Sequence, residues 1–289
     1  MSEQIKGLWC AVTTPIDASG SVDVGRLRDH TQWLFSEGVD GIVPFGTTGE
    51  GASFSSAERI SVIGELLKSG ISPDRIGLGV GMPALTETFS LTRSALSLGL
   101  THCLVLPPYF YRDATDEGLE DYFSSYIDHV ADDRLRMTLY HIPQVAGIGI
   151  PARTAGSLRK RYGKLVAGLK DSSGDFKQFQ AFRAHAPEVA VTVGNEPDIM
   201  RAVAEGGAGT ICGMANIVPR LVRALVDGTG DVEQMSAITA IFSGRPFVPT
   251  LKAIMAERSG QKDWLRVRPA LREATDGTAL VNRLKSITG

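Results

Sequence analysis

The chain has 289 residues, 43% of them hydrophobic, and a formal net charge of -2 at pH 7. This length accommodates one large α/β barrel or two ordinary domains, and the near-neutral charge gives no electrostatic reason to expect nucleic acid or membrane partners. No apolar run reaches the roughly 18 residues of a membrane span, and residues 1–7 lack the hydrophobic segment of a signal peptide, so a cytoplasmic location is expected.

The first apolar segment is followed by a helical pattern and then by a second apolar segment. Residues 7–13 read as a buried strand that Pro15 ends. Apolar residues then recur at three- and four-residue steps from Val24 to Phe35, which predicts a helix packed on a sheet. Gly38 ends that helix, and residues 41–45 form the next apolar run. One strand-helix unit is thereby complete.

The same unit recurs along most of the chain. Each apolar run is short, rich in aliphatic and β-branched residues, and separated from the next by the length of a crossover helix. The eight runs are residues 8–13, 42–45, 76–80, 103–106, 137–140, 165–169, 189–193 and 210–212. Eight consecutive units favour a closed (β/α)8 TIM barrel, and the dinucleotide fingerprint of the open doubly wound alternative is missing after the first strand.

The pattern changes near Asp231, where helical periodicity continues without further strands. Breaks are expected at residues 244–246, at Gly260 and at Pro269. We therefore expect a barrel catalytic domain over residues 1–228 and a C-terminal helical domain over residues 229–289.

The cysteines and histidines indicate neither a disulfide framework nor a metal centre. Cys10, Cys103 and Cys212 lie in apolar runs at wide spacings, which is typical of reduced core residues. The five histidines form no pair at metal-ligand spacing. We expect no metal and no cofactor.

The sixth apolar run delivers Lys170 to the carboxyl end of its strand, immediately before a polar turn closed by Gly174. A strand buried on both faces reads as continuous apolar sequence, so its first polar side chain has to be explained. The neutral amine of a lysine attacks a ketone to form a Schiff base, and burial favours the neutral amine. The alternative is a structural ion pair with Asp171 or a position on the surface.

Active sites of barrels lie at the carboxyl ends of the strands, so partners of this lysine are expected at the other strand ends. The second strand leads into a turn, Gly46 to Glu50, whose glycines permit positive φ and whose amides and hydroxyls suit a small carboxylate. It is a plain turn in the alternative interpretation. Tyr140, on the strand next to Lys170, is placed to exchange protons or simply packs on the rim.

These motifs resemble the pyruvate-dependent Schiff-base aldolases, the family that contains dihydrodipicolinate synthase and N-acetylneuraminate lyase. The resemblance extends over essentially the whole chain. The motifs that carry it are the Gly46 to Glu50 turn, Pro108-Tyr109, Tyr140 to Pro143, Gly168 to Gly174, and Gly209 to Asn216. It implies a (β/α)8 barrel with a C-terminal helical domain, assembled as a homotetramer or dimer.

The resemblance also implies residue roles. Lys170 corresponds to the imine-forming lysine and Tyr140 to the proton-shuttling tyrosine. Thr47 and Thr48 correspond to the pair that binds the pyruvyl carboxylate, with Thr48 in the proton relay, and Ile211 to a residue whose backbone lies against pyruvate. Substrate binding is also expected from Tyr109, Tyr111, Gly194 and Glu196.

Two positions depart from the dihydrodipicolinate synthase pattern. Phe110 stands where a neighbouring subunit's relay tyrosine is expected, and Tyr109 or Tyr111 replaces it only if the turn is shifted. Val145 stands where an arginine holds the semialdehyde carboxylate. The segment from Gly194 to Glu196 resembles the polyol-contacting segment of sugar-acid lyases, although Pro197 replaces the carboxylate that sialic acid lyases place next.

The expected function is a Schiff-base lyase that cleaves or dehydrates a 2-oxo-3-deoxy sugar acid, with pyruvate as the common fragment. The first alternative is dihydrodipicolinate synthase itself, which condenses pyruvate with aspartate semialdehyde. An alternative of another class is a catalytically idle paralogue that binds 2-oxo acids.

Overall fold

The computed structural model describes residues 3–289, and eight parallel strands form its centre. The strands are β1 Gly7–Cys10, β2 Gly41–Ile42, β3 Gly77–Gly79, β4 His102–Val105, β5 Arg136–His141, β6 Val166–Asp171, β7 Ala190–Val193 and β8 Gly209–Cys212. They pair in the order β2-β1-β8-β7-β6-β5-β4-β3. A parallel bridge between Ile42 and Ile76 joins β2 to the β3 side and brings the ring close to closure. The barrel prediction is confirmed.

Helices cover the outside of the barrel because each presents one apolar stripe to the strands. In α1, for example, Leu27, Thr31 and Leu34 are buried. The barrel helices are α1 Val24–Ser36, α2 Ser56–Lys68, α3 Leu85–Ser97, α4 Asp116–Val130, α5 Pro143–Ala146, α6 Ala152–Tyr162, α7 Phe176–His185, α8 Ile199–Ala204 and α9 Pro219–Val226. Sequence periodicity missed α5, which has a single turn. Within residues 3–289, no helix is long and apolar enough to cross a membrane.

Three further helices follow the barrel: α10 Val232–Thr239, α11 Phe247–Ser259 and α12 Gly277–Thr288. The breaks expected at residues 244–246, Gly260 and Pro269 all lie between these helices. Met235, Ile238 and Leu251 belong to the same buried cluster as the barrel's outer layer, so this C-terminal extension packs on the barrel. The boundary at residues 228 and 229 stays a prediction.

The interior of the barrel is filled by side chains from alternate strand positions. Trp9 and Ile211 belong to the inner cluster, whereas Leu8 and Cys10 belong to the cluster between strands and helices. The Trp9 ring occupies space that a side chain on β2 would otherwise take. A Cβ added at Gly41 would lie 2.7 Å from three atoms of that ring, so only glycine fits opposite Trp9.

We predict that Gly41→Ala destabilises the barrel by about 1 to 3 kcal/mol, because the core cannot absorb the added methyl group without displacing Trp9. Denaturant unfolding measures the change. The control is Gly64→Ala in α2, where a Cβ meets nothing within 4 Å; we expect it to be neutral or stabilising by up to about 1 kcal/mol. Equal effects of the two substitutions would contradict this account of the interior.

Candidate active site

Lys170 lies within β6, two residues after the buried Gly168. Its side chain is buried, with 5% exposure, and its Nζ lies 4.3 Å from the centroid of the Tyr140 ring. The two residues are register partners on neighbouring strands, so their side chains share the inner face. Strand alternation sends the adjacent side chains, His141 and Asp171, to the other face.

The amine of Lys170 is not part of a structural ion pair with Asp171. An Asp171 carboxylate oxygen accepts a hydrogen bond from the Ser173 backbone N–H at 2.9 Å, and burial raises the pKa of this carboxyl. Among the ion pairs of residues 3–289, none includes Lys170. Neither alternative interpretation, the ion pair or the surface position, describes this side chain.

The end of β7 leaves room for Lys170. A Cβ at Gly194 would lie 3.1 Å from Lys170 Cε and would collide with the Ser172 hydroxyl. Glu196, two residues on, is buried, and its Oε1 accepts a hydrogen bond from the Met214 backbone N–H at 3.0 Å. Burial raises the pKa of the Glu196 carboxyl, and Lys170 acts in the opposite direction. Glu196 therefore faces the strand ends with one oxygen already engaged.

The turn after β2 places Thr47 in the open and buries Thr48. The expected positive φ does not fall on its glycines: Phe45 has φ 58° and Glu50 has φ 56°. Gly49 is required for a different reason, because a Cβ there would lie 2.8 Å from the Phe45 backbone nitrogen. Gly49 is therefore needed for close backbone packing, and positive φ falls on residues other than glycine.

Arg59 ties the residues that follow this turn to the end of β3. Its guanidinium is 1% exposed and donates to the backbone carbonyls of Phe54 at 3.2 Å, Gly79 at 2.9 Å and Gly51. Burial lowers its pKa to about 10, so it stays charged at neutral pH. Sequence analysis missed Arg59, although it occupies the first position of the buried stripe that continues through Val62.

Glu50 joins the turn to the C-terminal extension. It forms an ion pair with Lys252 of α11, and both side chains are at most 1% exposed. Its other carboxylate oxygen accepts from the Arg268 backbone N–H at 2.9 Å, while Lys252 also donates to the Arg266 carbonyl at 2.7 Å. Burial lowers the pKa of the Lys252 amine, and Glu50 opposes that effect. Glu50 thus serves as an anchor.

A cavity of about 300 Å³ opens above these groups. Its walls include Thr47, Tyr109 and Tyr140. Lys170 and Ile211 are not wall residues, but Tyr140 contacts the Lys170 amine and shares the inner cluster with Ile211. No group of three potential metal ligands occurs in the described part of the chain.

The two tyrosines of the turn after β4 lie in different surroundings. Tyr109 lines the cavity, and burial raises the pKa of its phenol, partly opposed by Arg59. Tyr111 is 69% exposed and Phe110 is 74% exposed; their rings pack edge to face with centroids 5.3 Å apart. Within this chain, only Tyr109 of the two lies at the cavity.

Comparison with known proteins gives consistent matches over most of the chain. A family model, that of the Dihydrodipicolinate synthetase family, matches residues 4–259. An uncharacterized DapA-like lyase of Chloroflexus aurantiacus is 34% identical over 258 residues, 86% of each chain. The 4-hydroxy-tetrahydrodipicolinate synthase of Anaeromyxobacter dehalogenans is 31% identical over 77% of this chain and 74% of its own. Dihydrodipicolinate synthase from Agrobacterium tumefaciens superposes with a TM-score of 0.94 at 29% identity, covering 99% of this chain and 100% of that one.

We predict that Lys252→Met lowers the free energy of unfolding by about 3 to 5 kcal/mol, because it leaves the Glu50 carboxylate buried without its cation. The double variant Glu50→Gln/Lys252→Met should lose less than Lys252→Met alone, since no uncompensated charge remains. Exposed Lys285→Met on α12 is the control, with an expected change within about 0.5 kcal/mol. Strictly additive single-variant losses in urea unfolding would refute the buried pair.

Proposed function

The chain is a lyase of the dihydrodipicolinate synthetase family, as its motifs led us to expect, and we propose that it works through a Schiff base on Lys170. The observation that carries this proposal is a buried amine beside Tyr140 with no ion-pair partner. The amine is shielded from water and, with no ion-pair partner, is available to attack a carbonyl carbon.

In the proposed reaction, the Lys170 amine attacks the C2 ketone of a 2-oxo acid and expels water. The protonated imine that results is an electron sink, so a bond at C3 can break and leave an enamine. Pyruvate is the fragment common to all substrates. Its carboxylate is assigned to Thr47, Thr48 and the amides of their turn, where the buried positive charge of Arg59 supports an anion.

Tyr140 and Thr48 are assigned the proton transfers of this sequence. Tyr140 lines the cavity and contacts the amine, the two places between which a proton has to move. Thr48 is buried next to the end of β8, with its hydroxyl 3.3 Å from the position a Gly213 Cβ would take. Ile211 is assigned a backbone contact with pyruvate, and Gly194 provides space for the amine. Tyr111 and Glu196 lie outside the cavity wall: the Tyr111 ring is exposed, and one Glu196 oxygen is engaged by the Met214 N–H.

The second half of the substrate is proposed to lack a carboxylate. Val145, 56% exposed, forms part of the wall where an arginine would hold a second carboxylate. A 2-oxo-3-deoxy sugar acid meets this condition, and aspartate semialdehyde does not. Dihydrodipicolinate synthesis remains the second candidate because relatives such as that of Anaeromyxobacter carry the synthase name. The retained Lys170, Tyr140, Thr47 and Thr48 argue against an idle oxo-acid-binding paralogue.

The proposal extends to assembly and location. We expect a homodimer or homotetramer, because Phe110, Tyr111 and Val145 expose apolar surface around the cavity opening. A cytoplasmic location fits three buried cysteines that are free thiols, Cys10, Cys103 and Cys212.

Borohydride reduction in the presence of pyruvate tests the imine directly. We expect one pyruvate adduct, located on Lys170 by peptide mass spectrometry, and its loss in Lys170→Met. Lys177→Met, which removes an exposed lysine seven residues away, should retain the adduct. An adduct that persists in Lys170→Met, or none in the unaltered protein, would refute the proposed mechanism.

Exchange of the methyl protons of pyruvate in deuterium oxide isolates the proton transfer without a second substrate. We expect Tyr140→Phe to slow this exchange by about 10²- to 10⁴-fold, because the phenol carries the proton, while borohydride still traps pyruvate. Tyr162→Phe on α6, which removes a hydroxyl that donates to Asp128 at 3.1 Å, should exchange at the rate of the unaltered protein. Unchanged exchange in Tyr140→Phe would remove Tyr140 from the relay.

A further inference from the structure

The outer wall of the cavity is largely hydrocarbon. Its side chains come from three places: the strand ends of the barrel, the short α5 and the segment between α11 and α12. The members that contribute only carbon beyond the backbone are Phe45, Ala52, Leu104, Leu106, Val145, Ala146 and Leu271. Lysine, arginine and histidine are missing from the wall formed by the described residues.

Most polar side chains of the cavity wall already have a hydrogen-bond partner or an assigned role. Thr47 and Tyr140 belong to the pyruvyl half of the proposed reaction. Both carboxylate oxygens of Glu50 are engaged, one by Lys252 and the other by the Arg268 backbone. The hydroxyls of Ser53 and Tyr109 are what is left for the rest of the substrate.

Two hydroxyls do not suit a polyol chain, whose several hydroxyls would each lose water on entering and need a new partner. A second carboxylate would be desolvated with no cation to receive it. A hydrocarbon group, in contrast, gains from contact with Leu104, Leu106 and Leu271.

We propose, given the Schiff-base function above, that the substrate is a 4-hydroxy-2-oxo acid with a small apolar group, branched alkyl or aryl, on C4. Cleavage yields pyruvate and an apolar aldehyde. This differs from the sequence-based expectation of a sugar acid in the polarity of the aldehyde fragment. The cavity volume of about 300 Å³ lies at the lower end of ligand pockets, which suits one such group beside the pyruvyl half.

The bonds and protons of this reaction balance within the site. The C3–C4 bond breaks, and its electron pair enters the iminium to give an enamine. The C4 hydroxyl loses its proton to Tyr140 and becomes the aldehyde carbonyl. Tyr140 gives that proton to C3 of the enamine, and water then hydrolyses the iminium to release pyruvate and restore the Lys170 amine.

Leu271 makes the C-terminal extension part of the specificity wall. It follows the Arg268 segment, whose backbone N–H binds Glu50, and it is 36% exposed at the cavity. The ion pair of Glu50 with Lys252 therefore holds both the Gly46 to Glu50 turn and the segment whose Leu271 is proposed to contact the aldehyde half of the substrate.

The aldol direction tests the proposal, with pyruvate held constant and the aldehyde varied. We expect kcat/KM for isobutyraldehyde or benzaldehyde to exceed that for glyceraldehyde, succinic semialdehyde and aspartate semialdehyde by about tenfold or more. A preference for glyceraldehyde would restore the sugar-acid substrate, and a preference for either semialdehyde would favour a carboxylated one; each overturns the apolar proposal. Borohydride trapping of pyruvate on Lys170 in the same preparation separates these failures from failure of the Schiff-base function, which would leave no adduct.

Substitutions at Val145 provide the matched pair. Val145→Leu keeps the wall apolar and should preserve the aldehyde preference. Val145→Arg introduces a cation and should lower kcat/KM for the apolar aldehydes by about tenfold while raising it for succinic semialdehyde. Trapping of pyruvate by both variants shows that each is folded. Identical preferences in the two variants would contradict the assignment of Val145 to the aldehyde half.

Discussion

Lys170 holds a buried amine without an ion pair because the ring of eight strands surrounds it. Strand alternation puts Lys170 and Tyr140 on the inner face and sends Asp171, the adjacent carboxylate, to the outer one. Glycine at position 194 leaves the space that the lysine needs. The position of the proposed nucleophile therefore depends on the closure and register of the barrel.

The turn from Gly46 to Glu50 and the residues that follow it are held by two buried cations from different parts of the chain. Arg59 of α2 donates to the carbonyls of Gly51 and Phe54, just after the turn, and of Gly79 on β3, while Lys252 of α11 binds Glu50. Each cation makes several polar contacts that offset the free-energy cost of its burial. Two residues other than glycine, Phe45 just before the turn and Glu50 at its end, have positive φ. The C-terminal helices thus act as structural support for the site, and the segment that carries Leu271 brings them to its wall.

Much of this arrangement was predictable from local sequence. Eight apolar runs with intervening helical periodicity gave the barrel, and the position of Lys170 at the end of the sixth run gave the candidate nucleophile with Tyr140 beside it. The pair of Glu50 and Lys252 was not predictable, because 202 residues separate the two in the chain. Phe45 and Glu50 take positive φ next to glycines that do not, which only the packing of the turn determines. Exposure of Tyr111 and the engagement of Glu196 also depend on tertiary contacts.

Crystallographic analysis of the protein soaked with pyruvate tests the central claim most directly. The account predicts continuous density between Lys170 Nζ and C2 of pyruvate, with the carboxylate at the amides and hydroxyls of Thr47 and Thr48 and the methyl group directed toward the apolar wall. Pyruvate bound without a covalent bond to Lys170, or attached to another lysine, would contradict it.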